Sequence, residues 1–366
     1  MKSRKAFVFT ATAASALALA GAVQAQGVVN VFNWSDYITS EVLEQFTAET
    51  GIRVVYDVYD SNDTLEARLL AGSSGFDVVV PTATFMQRQI AAGVYMPLNR
   101  DLLPNLTHMD EELMAAAAAH DPGNEHAVIY MWGTTGIGYN IDMVAERLGE
   151  DFEVDTWAMV FDPEVASQLA DCGIAWLDSP SDMFPAAFAW MGLDPQSTAE
   201  ADFEAATEMM LGVRDTVRYF HSSQYISDLA NGEICVAVGW SGDVLQAAER
   251  AEEAGRGVNV WYAIPEEGAM QWFDMLAIPA DAPNPENAHA FINFIMQPEV
   301  SAAITNYVWF PNANRASWEF VDEEIFTDPA IFPTEEVSET LFTGVTYDSR
   351  TDRLVTRLWT RVRTGQ

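Results

Sequence analysis

Apolar residues along this chain follow two rhythms, and their alternation predicts the architecture. Val28, Val29, Val31 and Phe32 form a β-rich run that gives way to turn-forming residues at 33–37. From Thr39 or Ser40 to about Thr50, Val42, Leu43 and Phe46 recur at helical spacing behind a capping hydroxyl, and Gly51 stops the helix. The pattern then repeats, with a strand at 53–58, a loop at Ser61-Asn62, a helix at 63–71, a strand at 76–80 ending at Pro81, and a helix to about residue 92. Strands alternating with short helices predict a mostly parallel sheet covered on both faces.

A second α/β region follows the segment 132–140, whose clustered glycines suggest a hinge-like entry with unusual backbone angles. It contains strands at 174–178 and 234–240 and a helix near 183–191. Apolar runs at 258–264 and 275–278 have the character of late strands returning to the first region. Without an internal repeat or long linker, the two regions are expected to be joined by several short crossings that enclose a cleft.

The first 25 residues change the picture, because Lys2, Arg4 and Lys5 precede an apolar run that ends in Val23-Gln24-Ala25. This reads as an export signal cut after Ala25, and the run is short for a membrane span. Removing its three basic residues leaves 15 arginines, no lysine and 54 acids, a net charge of −39. Nucleic acid is thereby excluded as a partner, since a phosphate backbone needs a basic footprint. A cationic ligand fits the balance, although a general solubility role, as in salty surroundings, accounts for most of the excess. Cys172 and Cys235 would meet an oxidising space and are expected to close a disulfide. Neither has a second ligand at metal spacing, so no metal and no cofactor are expected.

Candidate chemistry lies where acids adjoin aromatics at strand ends, the place where open sheets present ligand groups. Trp34-Ser35-Asp36-Tyr37, Trp240-Ser241-Gly242-Asp243 and Trp272-Phe273-Asp274 show the pattern, and Asp178 with Asp182 flanks Ser179-Pro180. A Trp beside an Asp is ordinary at any one place; three such clusters in two regions are less so. Together they suit an alkyl diammonium, whose ammoniums need acceptors and whose methylenes need flat walls that also attract cations. An ion pair near a protein surface at about 4 Å contributes roughly 4 kcal/mol before desolvation costs. Enzyme signatures are missing: the sequence has no Gly-x-Ser-x-Gly, His-Glu-x-x-His, phosphate loop or dinucleotide fingerprint.

From Val29 onward the chain resembles the substrate-binding subunits of bacterial polyamine ABC transporters, especially the putrescine-binding type. The resemblance runs through 33–37, 56–61, 75–81, 130–140, 218–225, 240–243, 268–270 and 312–314. It implies the type II periplasmic binding fold, two α/β lobes joined by a hinge around a ligand cleft. It places amine-binding carboxylates at Asp36, Asp243 and Asp274, hydroxyl contacts at Ser35, Tyr37 and Thr82, and aromatic walls at Trp34, Trp240 and Trp272. Asp182 stands where relatives often carry glutamate, and Phe310 where many carry tyrosine. Trp272 matches spermidine-preferring relatives, while Asp36 and Asp243 look like the diamine type. A bridge between Cys172 and Cys235 is also implied.

The expected division is a signal at 1–25, one lobe from 26–133 and 258–306, and the other from 134–257 and 307–366. The expected function is periplasmic capture of a polyamine, putrescine first, by a monomer that delivers it to ABC transporter permease subunits. A spermidine-preferring or broad polyamine binder, or a sensor subunit docking on a membrane receptor, are the alternatives.

Overall fold

A computed structural model describes residues 27–366. The expected export signal lies outside the described residues. Ten strands run β1 (Gly27–Trp34), β2 (Ile52–Tyr59), β3 (Val78–Val79), β4 (Ala127–Asn140), β5 (Ile174–Trp176), β6 (Val217–Phe220), β7 (Val236–Trp240), β8 (Val260–Ala263), β9 (Met270–Ala277) and β10 (Phe342–Thr343). They form one continuous hydrogen-bonded path, β2-β1-β3-β9-β4-β7-β5-β6, with β8 beside β4 and β10 beside β9. The expected helix at 40–50 is present, capped by Thr39, which accepts from Val42 N at 3.1 Å, and ended by Gly51 at φ 72°.

Two apolar cores flank this path, as a two-lobed α/β protein requires. One holds Val29, Val31, Phe46, Leu65, Val78, Met86 and Phe291, and the other Trp157, Trp176, Phe184, Phe188 and Phe203. The 14 residues of β4 are all buried, because its first half sits in the first core and its second half in the other. The sheet is therefore mixed rather than mostly parallel. Parallel pairs occupy the flanks, β1 with β2 and β3, and β5 with β6 and β7; β4 and β9 run antiparallel to neighbours in the middle. A strand that carries the chain straight from lobe to lobe makes no helical crossover of the kind parallel neighbours need.

Two further expectations change. Residues 258–264 were expected in the first lobe, yet Val260, Tyr262 and Ala263 belong to the second core, because β8 pairs with the far half of β4. The chain then returns to the first core along β9 and leaves it again between Ala313 and Val321. The glycines of β4 also have a different role from the one expected. They lie in extended strand, and what they supply is space: a Cβ on Gly133 would stand 2.8 Å from the Trp272 ring, and one on Gly136 2.5 Å from Ala263 O. Among the described residues no helix is long and apolar enough to cross a membrane.

Cys172 and Cys235 form a disulfide with Cα atoms 5.5 Å apart, closing a loop with a sequence separation of 63 inside the second lobe. On chain-entropy grounds such a loop stabilises by about 4 kcal/mol. Replacing both cysteines by alanine is expected to lower stability by about 2–4 kcal/mol, read from the urea midpoint of the second lobe. An unchanged midpoint would contradict this role.

Candidate functional site

The ends of β1 and β7 and the middle of β9 converge on one cleft between the lobes. From the first lobe, β1 ends at Trp34, whose indole N–H donates to Val80 O at 3.0 Å, so its ring is fixed against the wall. Asp274 on β9 is 4 % exposed and accepts from Tyr37 Oη at 3.0 Å and Thr82 Oγ1 at 2.7 Å. Asn62 donates to Thr82 Oγ1 at 2.9 Å, and Tyr130 to the carbonyl of Tyr37 at 2.5 Å, so both hydroxyl donors are themselves held.

From the second lobe, β7 ends at Trp240 and the helix Ser241–Ala254 begins, placing Asp243 in its first turn. Asp243 is 8 % exposed and accepts one hydrogen bond, from Tyr225 Oη at 2.8 Å; Tyr225 in turn accepts from Trp240 N at 3.2 Å. Asp182 accepts from Thr135 Oγ1 at 2.6 Å, Trp240 Nε1 at 3.2 Å and Ser179 Oγ. It lines the cleft, and its donors leave it chiefly as the anchor of the Trp240 ring. The aromatic walls meet edge-on, Trp34 with Trp240 at 5.7 Å and Trp272 with Phe310 at 5.4 Å. Phe310 also packs edge-on against Tyr37 at 5.3 Å.

The electrostatics follow from burial. Desolvation pushes Asp243 and Asp274 up to about 7; the charges of Asp36 and Asp274 add to the rise for Asp243 and that of Asp182 to the rise for Asp274, while hydroxyl donors, and Arg250 for Asp243, oppose it. Asp182 is also raised by burial and held down by Ser179, Thr135 and Trp240. A carboxylate serving the fold looks different. Asp77, fully buried, accepts from the backbone and side-chain nitrogens of both Asn30 and Asn284 at 2.6–3.1 Å. Asp243 and Asp274 lack such saturation, and neither arginine nor lysine lines the cleft among the described residues. The site is built to accept a cation between flat walls.

Ten of the eleven expected contacts, Trp34, Ser35, Tyr37, Thr82, Asp182, Trp240, Asp243, Trp272, Asp274 and Phe310, line this one cleft. Asp36 is the exception and corrects the expectation. It takes φ 54°, which turns its carboxylate out to Arg250 on the other lobe at 2.9 Å. A second ion pair, Arg88 with Asp352 at 3.1 Å, also joins the lobes beside the cleft. Tyr225, Thr135 and Asn62 escaped the sequence reading, since nothing local distinguishes a hydroxyl or amide that will brace a distant side chain.

Known proteins match this chain closely. The sequence pattern of the bacterial extracellular solute-binding proteins covers residues 41–334. A putrescine-binding periplasmic protein of Pseudomonas aeruginosa is 52% identical over 357 residues, 96% of this chain and 97% of that protein. A putrescine-binding periplasmic protein of Escherichia coli is 48% identical over 342 residues, 93% and 92% of the two chains. A structure described as a spermidine/putrescine ABC transporter from Listeria monocytogenes superposes with a TM-score of 0.82 at 28% identity, covering 93% of this chain and 99% of that one.

Because burial lifts Asp243 and Asp274 from about 4 to about 7, the fold binds more protons than the unfolded chain across that window, and stability falls as pH rises through it. Between pH 4 and pH 8 the protein is expected to lose on the order of 4 kcal/mol from each of these groups. The D243N/D274N variant should flatten that dependence in thermal melts. Equal slopes for variant and parent would contradict the assignment.

Proposed function

The chain belongs to the bacterial extracellular solute-binding proteins, and from that premise we propose that its cleft captures a linear diamine, putrescine first, and releases it unchanged to an ABC transporter. The observation that carries this reading is a pair of buried carboxylates, Asp274 from one lobe and Asp243 from the other, facing one aromatic-walled cleft that no arginine or lysine lines among the described residues. A ligand with an ammonium at each end supplies both missing charges at once. In doing so it ties the lobes together, which is how binding would drive closure.

The residues divide the work. Asp274, with Tyr37 and Thr82 beside it, takes one ammonium; Asp243, held by Tyr225, takes the other. Trp34, Trp240, Trp272 and Phe310 enclose the methylenes, and Ser35 adds an acceptor to the cleft wall. Asp182 acts through Trp240, and Asp36 through its ion pair with Arg250. The relatives are named for binding, and the site performs no chemistry on its ligand. The same reading places the mature protein in the periplasm as a monomer, exported by the N-terminal signal and docking on permease subunits.

Asp274→Asn would leave a buried ammonium opposite a neutral amide, which costs about 2 kcal/mol or more. Calorimetric titration with putrescine is expected to show affinity at least ~30-fold weaker. Butylamine, with the same chain and one ammonium, should bind the parent far more weakly than putrescine. Unchanged affinity in the variant, or equal affinity for the two amines, would sink the assignment.

A further inference from the structure

Phe310 walls the cleft, and just before it in the chain Tyr307 reaches the outside of the molecule, 48 % exposed. Between them Trp309 holds φ 58°, a left-handed conformation that costs a residue other than glycine about 1–3 kcal/mol. Tyr307 has aromatic company. Asn306 ties the end of its helix, Pro298–Val308, to the turn Arg315–Phe320, donating to Phe320 O at 3.3 Å and accepting from Asp322 N at 3.0 Å. Phe320 is 43 % exposed and Phe326, packed on the Trp318 ring at 5.9 Å, is 38 % exposed. Apolar side chains exposed singly need no explanation, whereas several gathered on one face mark an interaction surface.

Charge specifies what this surface meets. The helix Ser241–Ala254, which holds Asp243 in its first turn, lies against the end of the Tyr307 helix, with Gln246 Nε2 donating to Val308 O at 3.1 Å. Further along it carries Glu249, Glu252 and Glu253, all exposed, and Glu324 of the helix Glu323–Phe326 stands close enough to act on the first of them. Partial burial, then the charges of Glu253, Glu252 and Glu324, raise the Glu249 carboxyl from its ordinary value. None of the four has an ion-pair partner among the described residues. Arg250 is committed to Asp36, and Arg256 reaches Asn231 at 3.2 Å. Arg315 lies over the Trp318 ring at 5.7 Å, so the same aromatic ground already takes one guanidinium.

Resting on the reading that the protein delivers its ligand to a transporter, we propose that Tyr307, Phe320 and Phe326, with Glu249, Glu252, Glu253 and Glu324, form the docking surface for a basic segment of that membrane partner, one bearing arginine or lysine side chains. The long stems of such residues cover aromatic surface while their heads answer carboxylates. A small free cation fits the surface less well, because exposed carboxylates hold it weakly in salt and it leaves the rings in water. Both lobes contribute. The helix Ser241–Ala254 packs in the second core through Val244, Leu245 and Ala247, and the helix Pro298–Val308 in the first through Val300, Ile304 and Val308. A partner seated here therefore touches the junction of the lobes, one turn of chain away from the cleft wall at Phe310.

The test uses the full mature chain and the permease and ATPase subunits of its transporter in nanodiscs, with putrescine-dependent ATP hydrolysis as the readout. The variants E249Q/E252Q/E253Q/E324Q and, separately, Y307S/F320S are each expected to raise the concentration of binding protein giving half-maximal stimulation about tenfold. Their own affinity for putrescine, by calorimetry, should change less than about twofold, since none of these side chains lines the cleft. Raising salt should weaken stimulation by the parent and affect the glutamine variant much less. The exposed pair Glu111 and Glu112 of the first lobe controls for general negative charge, and E111Q/E112Q should leave stimulation as it is. Unchanged half-saturation in either variant, an equal effect of the control, or putrescine affinity lost together with stimulation would each overturn the surface. A parent that binds putrescine without stimulating the transporter would overturn the delivery reading and the surface with it, whereas a parent that stimulates normally while both variants do the same would overturn the surface alone.

Discussion

Two buried carboxylates share one cleft that, among the described residues, no arginine or lysine lines, and the rest of the structure is organised around that unsatisfied condition. Charge removed from water is costly unless paired. Asp243 and Asp274 respond by holding their protons to about pH 7, each braced by hydroxyl groups that leave acceptor capacity open. A permanent arginine in the cleft would remove the cost and the function with it. The chain instead keeps its arginines at the rim, where Arg250 answers Asp36 and Arg88 answers Asp352. Ion pairs as exposed as these contribute at most about 1 kcal/mol each, a scale suited to lobes that must part again.

The fold delivers this arrangement by ending strands from both lobes at one place. β4 belongs to both cores, so the geometry of one lobe is referred to the other through a single continuous strand. Gly133 on that strand leaves room for Trp272 and Phe310, and Gly242 on the opposite lobe leaves room for Phe310 from the other side. The aromatic wall is thus shaped by residues without side chains. Tyr225 repeats the logic in the polar part, receiving a backbone N–H from Trp240 and giving its own proton to Asp243.

Much of this was legible in the sequence, for identifiable reasons. Trp34, Trp240 and Asp243 could be read because apolar strands that stop at an aromatic next to an acid carry a local signature of a ligand-facing edge, whereas Trp272 and Asp274, expected at a strand end, lie inside β9. The repeated strand and helix rhythms gave the α/β class, and two cysteines in a chain expected to be exported gave the bridge seen between Cys172 and Cys235. What stayed hidden depended on partners distant in the chain. Asp36 reads like its neighbours until its positive φ and Arg250, 214 positions away, are known. The antiparallel middle of the sheet and the lobe of β8 were invisible likewise, because periodicity reports burial and says nothing of which strand lies alongside. Gly133 and Gly136 show the same limit, since a glycine needed for close approach looks in sequence like one needed for a turn.

If the open charges of Asp243 and Asp274 are what the ligand completes, binding must expel the protons they hold. The direct measurement is the number of protons released when putrescine binds at pH 6.5, obtained by calorimetric titration in buffers of different ionisation enthalpy. With both carboxyls near 7 in the empty cleft, release of roughly one to two protons per ligand is predicted. Binding with no proton release at that pH would contradict the account.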